Sequence, residues 1–345
     1  MALRELLGTE LPIIQAPMAG VQGSALTIAV SNAGGLGSLP GAMLSVEDLR
    51  KELTAIRSAT NRPYNVNFFC HQPAEANEEV EQAWRASLAP YYKEFGIGPN
   101  ASSAGAGRAP FSSEIAEVLE EFKPPVVSFH FGLPSKELMA RVRSWGPRIL
   151  CSATTVEEAL WLEANGVDAI IAQGLEAGGH RGMFLSDDLT TQMGAFALLP
   201  QLVQAVSVPV IAAGGIANAE GVSAAMTLGA AGVQIGTAYL LCPETNTSEV
   251  HRAALQSESA GHTALTNVLT GRPARGIVNR VVRDLGPIST AVPAFPLAAA
   301  EIAPLRAKAE SDGSGDFSPL WAGQNASACR EVGAAELTRQ FAADL

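Results

Sequence analysis

The sequence predicts a (β/α)8 barrel, an α/β fold, on three observations. Eight short apolar runs punctuate the first 240 residues, helix-like stretches separate most of them, and glycines cluster where the last runs end. The runs lie at 13–17, 35–39, 64–69, 126–131, 148–152, 169–173, 208–213 and 232–236. Continuous apolar strands joined through helices imply a parallel sheet covered on both faces, because antiparallel neighbours need no such crossovers. Eight units suit a closed barrel, with an open doubly wound sheet as the alternative.

Taken in order, helix-like segments fall at 45–58, 135–145, 155–165, 195–206 and 219–228, several opened by Ser or Thr. Thr155 followed three residues later by Glu158 reads as a capping box. The repeat is interrupted after the third strand by an insertion at about 72–110. It carries an acidic helical stretch, 75–87, and then GIGPNASSAGAGRAP, whose small residues predict a mobile loop. The barrel is expected over 1–242 and a helical C-terminal extension over 243–345. A linker at 311–316 then leads to a segment, 318–326, that packs back on the barrel.

Composition narrows the function. Of 345 residues 47% are hydrophobic and 17% charged, enough apolar surface for a large core. With 34 acidic against 23 basic residues the net charge is −11, so no basic surface exists to bind nucleic acid. Four dispersed cysteines form no C-x-x-C pair, which suits neither a disulfide framework nor a zinc knuckle and points to the cytoplasm. The first residues lack the order of a signal peptide. The most apolar stretch, 291–304, is broken by Pro293, Pro296, Glu301 and Pro304, so no membrane span is expected.

In a barrel, chemistry gathers where strands run out into loops. Gly214 and Gly215 follow the seventh run directly, and Gly236 and Thr237 follow the eighth. Glycines there let backbone N–H groups approach an anion, and these two loops form the recurrent phosphate site of such barrels. The sixth run ends in Gln173, then Gly178, Gly179 and His180, a histidine able to act as base or donor near neutral pH. Met18 and Ala19 follow the first run, and Asn67 lies within the third, between Val66 and Phe68, with an amide suited to a heteroaromatic ring edge. His71 and His130 read as structural, and His251 and His262 carry no signal. No metal-ligand spacing, G-x-S-x-G elbow or well-placed G-x-G-x-x-G occurs.

Together QAPMAG, NVNFFCH, QGLEAGGHRG, VIAAGGIAN, VQIGTAYL, LTGRPARGIVNR and LWAGQ resemble the class I nitronate monooxygenases, over nearly the whole chain. The resemblance implies an FMN-dependent enzyme that turns alkyl nitronates, propionate 3-nitronate among the candidates, and dioxygen into carbonyl compounds and nitrite, in detoxification. It implies that Asn67, Gln173, Gly178, Gly215 and the run Gln234, Ile235, Gly236, Thr237 contact FMN. It places His180 at the substrate, orienting the nitro group or taking the α-proton of a nitroalkane, and brings Gln324 back to the flavin. Relatives carry tyrosines around the substrate, whereas this chain has only Tyr64, Tyr91, Tyr92 and Tyr239. The partners expected are a small nitronate or nitroalkane and dioxygen, with the chain a monomer or homodimer. Two rivals are an FMN-dependent NAD(P)H reductase of enoyl thioesters or quinones and a barrel that stores FMN or senses an anionic ligand without turnover.

Overall fold

A computed structural model describes residues 3–98 and 108–345. Its strands are β1 (Ile13–Gln15), β2 (Gly37–Pro40), β3 (Tyr64–Phe69), β4 (Val126–His130), β5 (Arg148–Ala153), β6 (Ala169–Gln173), β7 (Gly179–His180), β8 (Val210–Ala213), β9 (Gly232–Ile235), β10 (Thr263–Thr266) and β11 (Ala274–Ile277). Eight form one parallel sheet in the order β1-β9-β8-β6-β5-β4-β3-β2. The ring closes between β1 and β2, where Gln15 N–H donates to Leu36 O at 3.0 Å and Leu36 N–H to Ile13 O at 2.9 Å. The eight predicted runs are these eight strands. The first and last were read one or two residues too long, because the apolar pattern continues past Gln15 and Ile235 into the loops.

The strands form because both their faces are covered. All six residues of β3 and all five of β6 are buried. Outside the barrel, Val66, Phe129, Ile149 and Ile170 pack against Leu49, Leu53, Leu119, Val142 and Leu162 of the surrounding helices. A separate interior cluster joins Ile14, Leu36, Val126, Leu150, Ile171 and Ile211 to Leu3 and Leu7 of the short helix Leu3–Leu7. In a polar layer of buried side chains, Asn65 Nδ2 donates to Ser38 Oγ at 3.0 Å and to Ser128 Oγ at 2.8 Å.

The insertion and the extension fold against each other. Trp84, Leu88 and Tyr91 of the helix Glu78–Glu94 pack with Val268, Ile302, Leu305 and Phe317 in a second core. The extension is not wholly helical, contrary to expectation. β10 and β11 form an antiparallel hairpin, and β11 pairs with β7, so that His180 lies opposite Ala274. Nor is 311–316 a loose linker, since Asn279 Nδ2 donates to Gly315 O and to Ser318 O. The last helix, Ala334–Phe341, packs on Ser24–Asn32 and is tied down by Thr338 Oγ1 at 2.9 Å from Tyr239 Oη. The predicted loop at 96–110 lies largely outside the described residues, and residues 108–110 lead into Phe111, whose N–H donates to Phe69 O. No helix among the described residues is long and apolar enough to cross a membrane.

The capping box forms by half. Thr155 Oγ1 accepts from Glu158 N–H at 3.2 Å, but the Glu158 carboxylate turns to Thr154 N–H (2.6 Å), Thr154 Oγ1 (2.7 Å) and Phe184 N–H (2.6 Å). This buried carboxylate ties the end of β5 to the segment after His180. Glu158→Ala strands these donors and is expected to lower the unfolding free energy by about 3 kcal/mol in urea titration. A change under about 1 kcal/mol would show that water replaces the carboxylate.

Candidate functional site

One cavity occupies the C-terminal end of the barrel. Met18, Ala19, Asn67, Gln173, Gly178, Gly179, His180, Gly214, Gly215, Gln234, Ile235, Gly236 and Thr237 all line it. Gln324 does not. It is exposed, and its N–H donates to Glu176 O at 2.9 Å, while its neighbours Gly323 and Asn325 reach the wall. The returning segment therefore acts through its main chain and flanking residues.

At the ends of β8 and β9 the chain turns at Gly214 (φ +119°) and Gly215 (φ +72°), conformations that side chains with a Cβ rarely adopt. Among the described residues, the N–H groups of Gly214, Gly215, Gly236 and Thr237 donate to no protein acceptor. The following helix, Ala219–Thr227, is capped by Asn218, whose Oδ1 accepts from Gly221 N–H at 2.9 Å. The returning segment holds this end together: Gly323 N–H donates to Thr237 Oγ1 (3.0 Å), Asn325 Nδ2 to Gly215 O (3.1 Å) and Cys329 Sγ to Thr237 O (3.1 Å).

Gly178 has a different reason to be glycine from the one the sequence suggests. A Cβ there would stand 2.5 Å from Gly323 N and 2.6 Å from Ala322 C, so the missing side chain admits the returning segment. The loop after β6 is otherwise fixed by buried polar groups. Gln173 Nε2 donates to His180 O at 2.9 Å, and its Oε1 accepts from Gly182 N–H at 2.7 Å. Arg181, fully buried, donates to Gln173 O, Gly174 O and Gln192 Oε1.

The middle of the wall offers amides. Asn67 Nδ2 donates to Ser128 Oγ at 2.9 Å. Gln234 Oε1 is buried with no partner, an acceptor that needs a donor from the cavity.

His180 stands at the other side, with ring centroids of Trp321 at 5.4 Å, Phe295 at 5.2 Å, Phe131 at 6.0 Å and Phe69 at 6.3 Å. Its Nε2 lies 3.0 Å from Thr270 Oγ1, which leaves Nδ1 without a protein partner among the described residues. Burial holds its pKa well below the usual histidine range, and Arg108, His130, Arg272 and His71 push the same way. The ring is neutral at physiological pH. His130, read as structural, also lines the cavity: its ring nitrogens meet Ser152 Oγ (3.0 Å) and His180 O (3.2 Å), and burial pushes its pKa down to about 4. His71, with Nδ1 buried and unpartnered, packs beside Phe295 behind the wall. His251 departs from its reading: buried on the helix Glu249–Leu255, it lines the cavity. Arg108, Thr270 and Trp321 were also missed, because tertiary packing of the insertion and extension brings them here.

A sequence profile of the family described as Nitronate monooxygenase matches residues 1–344. The chain belongs to the nitronate monooxygenase family. A nitronate monooxygenase of Paraburkholderia phytofirmans is 44% identical over 350 residues, covering 100% of this chain and 94% of its own length. One from Pseudomonas aeruginosa is 42% identical, covering 99% and 97%. The crystal structure of a nitroalkane oxidase from Streptomyces ansochromogenes superposes with a TM-score of 0.91 at 39% identity, covering 100% of this chain and 98% of that one.

Membership of the nitronate monooxygenase family implies a flavin, and the wall can be tested against one. Four amides without acceptors at one end suit an anionic tail, and the orphaned Gln234 Oε1 suits a ring N–H. The residues present fit. Gly178→Ala, which would displace Ala322 and Gly323, is expected to cut flavin retained through gel filtration at least about tenfold, a loss near 1.4 kcal/mol. Full retention would mean the returning segment is dispensable for binding.

Proposed function

We propose that this family member holds FMN in the cavity and oxidises alkyl nitronates with dioxygen. The substrate carbon gains one oxygen atom as its C–N bond breaks, and the reaction balances as two nitronates and one dioxygen giving two carbonyl compounds and two nitrites. Carrying this reading is the joining, in one cavity, of unpaired amides at the ends of β8 and β9 with an uncharged His180 opposite. Gly214, Gly215, Gly236 and Thr237 would take the phosphate, and Asn67 and Gln234 the ring edge. When bound, the flavin supplies an acceptor for the substrate's electrons and passes them to dioxygen.

The protein's own part is to bind, orient and move a proton. Trp321, Phe69 and the adjoining phenylalanines exclude water from the substrate side. Thr270 fixes the His180 ring through Nε2, and the Gln173 clamp on His180 O and Gly182 N–H fixes its backbone. Neutral at pH 7, His180 donates to a nitro oxygen or accepts the α-proton of a neutral nitroalkane, according to its tautomer. A base whose pKa is held low is a weak one, so nitronates, which need no deprotonation, are the better substrates. All four cysteines are free thiols, which suits the cytoplasm we assign to the enzyme.

Purified protein incubated with a nitronate and oxygen is expected to release nitrite. Bound flavin without nitrite would refute the reaction, and rapid anaerobic bleaching by NADH would favour a reductase. His180→Asn should keep the flavin and lower turnover of a neutral nitroalkane about 100-fold, with a smaller loss on the nitronate. Equal losses would assign His180 to orienting the nitro group alone. Because the lowered pKa leaves the base unprotonated as pH falls, kcat/KM for the neutral nitroalkane should stay level from about pH 8 to about pH 6. A fall centred near 6.5 would contradict the buried, cation-flanked setting.

A further inference from the structure

The chain carries a net charge of −11, yet no carboxylate among the described residues lines its cavity. Among the described residues the one side chain on that wall with a fixed charge is Arg108, and the sequence 99–107 before it contains no acidic or basic residue. The buried Arg181 and Arg275 are matched with acceptors: Arg181 has three, and Arg275 donates to Leu175 O and Thr263. Arg272, half-buried like Arg108, donates to Met183 O and leaves its Nε without a partner, but it is not among the residues that line the cavity. Arg108 has no carboxylate partner among the described residues. Its surroundings are burial, which disfavours its charge, and Arg306, which does the same. The guanidinium carbon lies 5.9 Å from the Phe295 ring centroid, and that ring is 5.2 Å from His180. This cation is therefore on the His180 side, away from the amides at the ends of β8 and β9. A desolvated cation open to a cavity and lacking a counterion is a site for an anionic ligand.

We propose that Arg108 is the charge-selecting residue of the site: its guanidinium holds the negative charge of the nitronate beside His180, so the anion binds in preference to its neutral conjugate acid. This rests on the reaction proposed above, and it assigns to the insertion after β3 a part in substrate choice that the barrel loops do not supply. The ammonium of a lysine would retain much of the effect, whereas a neutral amide of similar length would not.

Steady-state kinetics on the flavin-loaded enzyme and its R108Q and R108K variants, with a nitronate and the neutral nitroalkane of the same carbon skeleton, tests the assignment. R108Q is expected to raise KM for the nitronate about tenfold or more, with a much smaller fall in kcat and little change in KM for the nitroalkane. R108K should recover most of the nitronate affinity. Nitrate, a planar oxyanion used as an unreactive probe and followed by its perturbation of the flavin spectrum, should bind R108Q about tenfold more weakly than wild type. An unchanged nitronate KM, an equal rise for both substrates, or loss of flavin from both variants would overturn the assignment. Should the wild type release no nitrite, the reaction falls, and nitrate binding still decides whether Arg108 holds an anion.

Discussion

Four main-chain N–H groups that find no acceptor among the described residues set the terms for this site. They belong to Gly214, Gly215, Gly236 and Thr237, where the chain leaves β8 through two left-handed glycines and leaves β9 at Gly236. Amides presented this way are fixed partial charges. They need no side-chain ordering when a ligand arrives, which is the advantage of a backbone cradle over lysines or arginines. Neighbouring elements hold them in place: Asn218 caps the helix behind, Asn325 grips Gly215 O, and Thr237 accepts from Gly323.

Rigidity on the His180 side has another source. There the loop after β6 would be free to wander, were it not threaded by buried polar groups with several acceptors or donors each. Gln173, Arg181 and Glu158 together bind Thr154, Gly174, His180, Gly182, Phe184 and Gln192. Fully satisfied buried networks of this kind specify one arrangement, and losing a member costs more than a surface ion pair. The hairpin of β10 and β11 adds a further constraint by pairing with His180 itself. Substrate-side geometry thus depends on the extension as much as on the barrel.

The barrel was legible because its strands are buried on both faces, so β3 and β6 read as unbroken apolar runs with the observed ends. The two glycines at the end of β8 were legible because a positive φ leaves little choice of residue, whereas Gly236 at the end of β9 has φ −114° and is crowded instead by Ala16, whose Cβ would stand 3.3 Å from an added one. By contrast β7, β10 and β11 are two to four residues long and show no usable period. Glu158 sits where a capping box asks for it, but its carboxylate has stronger claims from Thr154 and Phe184 than from its own helix. Arg108, His251 and Trp321 come from segments whose approach depends on Trp84, Leu88 and Tyr91 packing against Ile302, Leu305 and Phe317. No local pattern announces that. The resemblance drew attention to the returning segment, where Gly323 and Asn325 flank the wall and Gln324 faces solvent.

The cavity is thus polarised along its length, with backbone dipoles at one end, amide side chains between, and at the other a neutral imidazole beside an arginine. An acidic protein surrounds a pocket whose described wall carries no carboxylate. The feature on which the account rests is the claim of the β8 and β9 amides on a phosphate. Titrating flavin-free protein with FMN and with riboflavin, which differ only in that group, measures it. Several charge-assisted N–H bonds predict that FMN binds at least about a hundredfold more tightly. Equal affinities for the two would contradict the account.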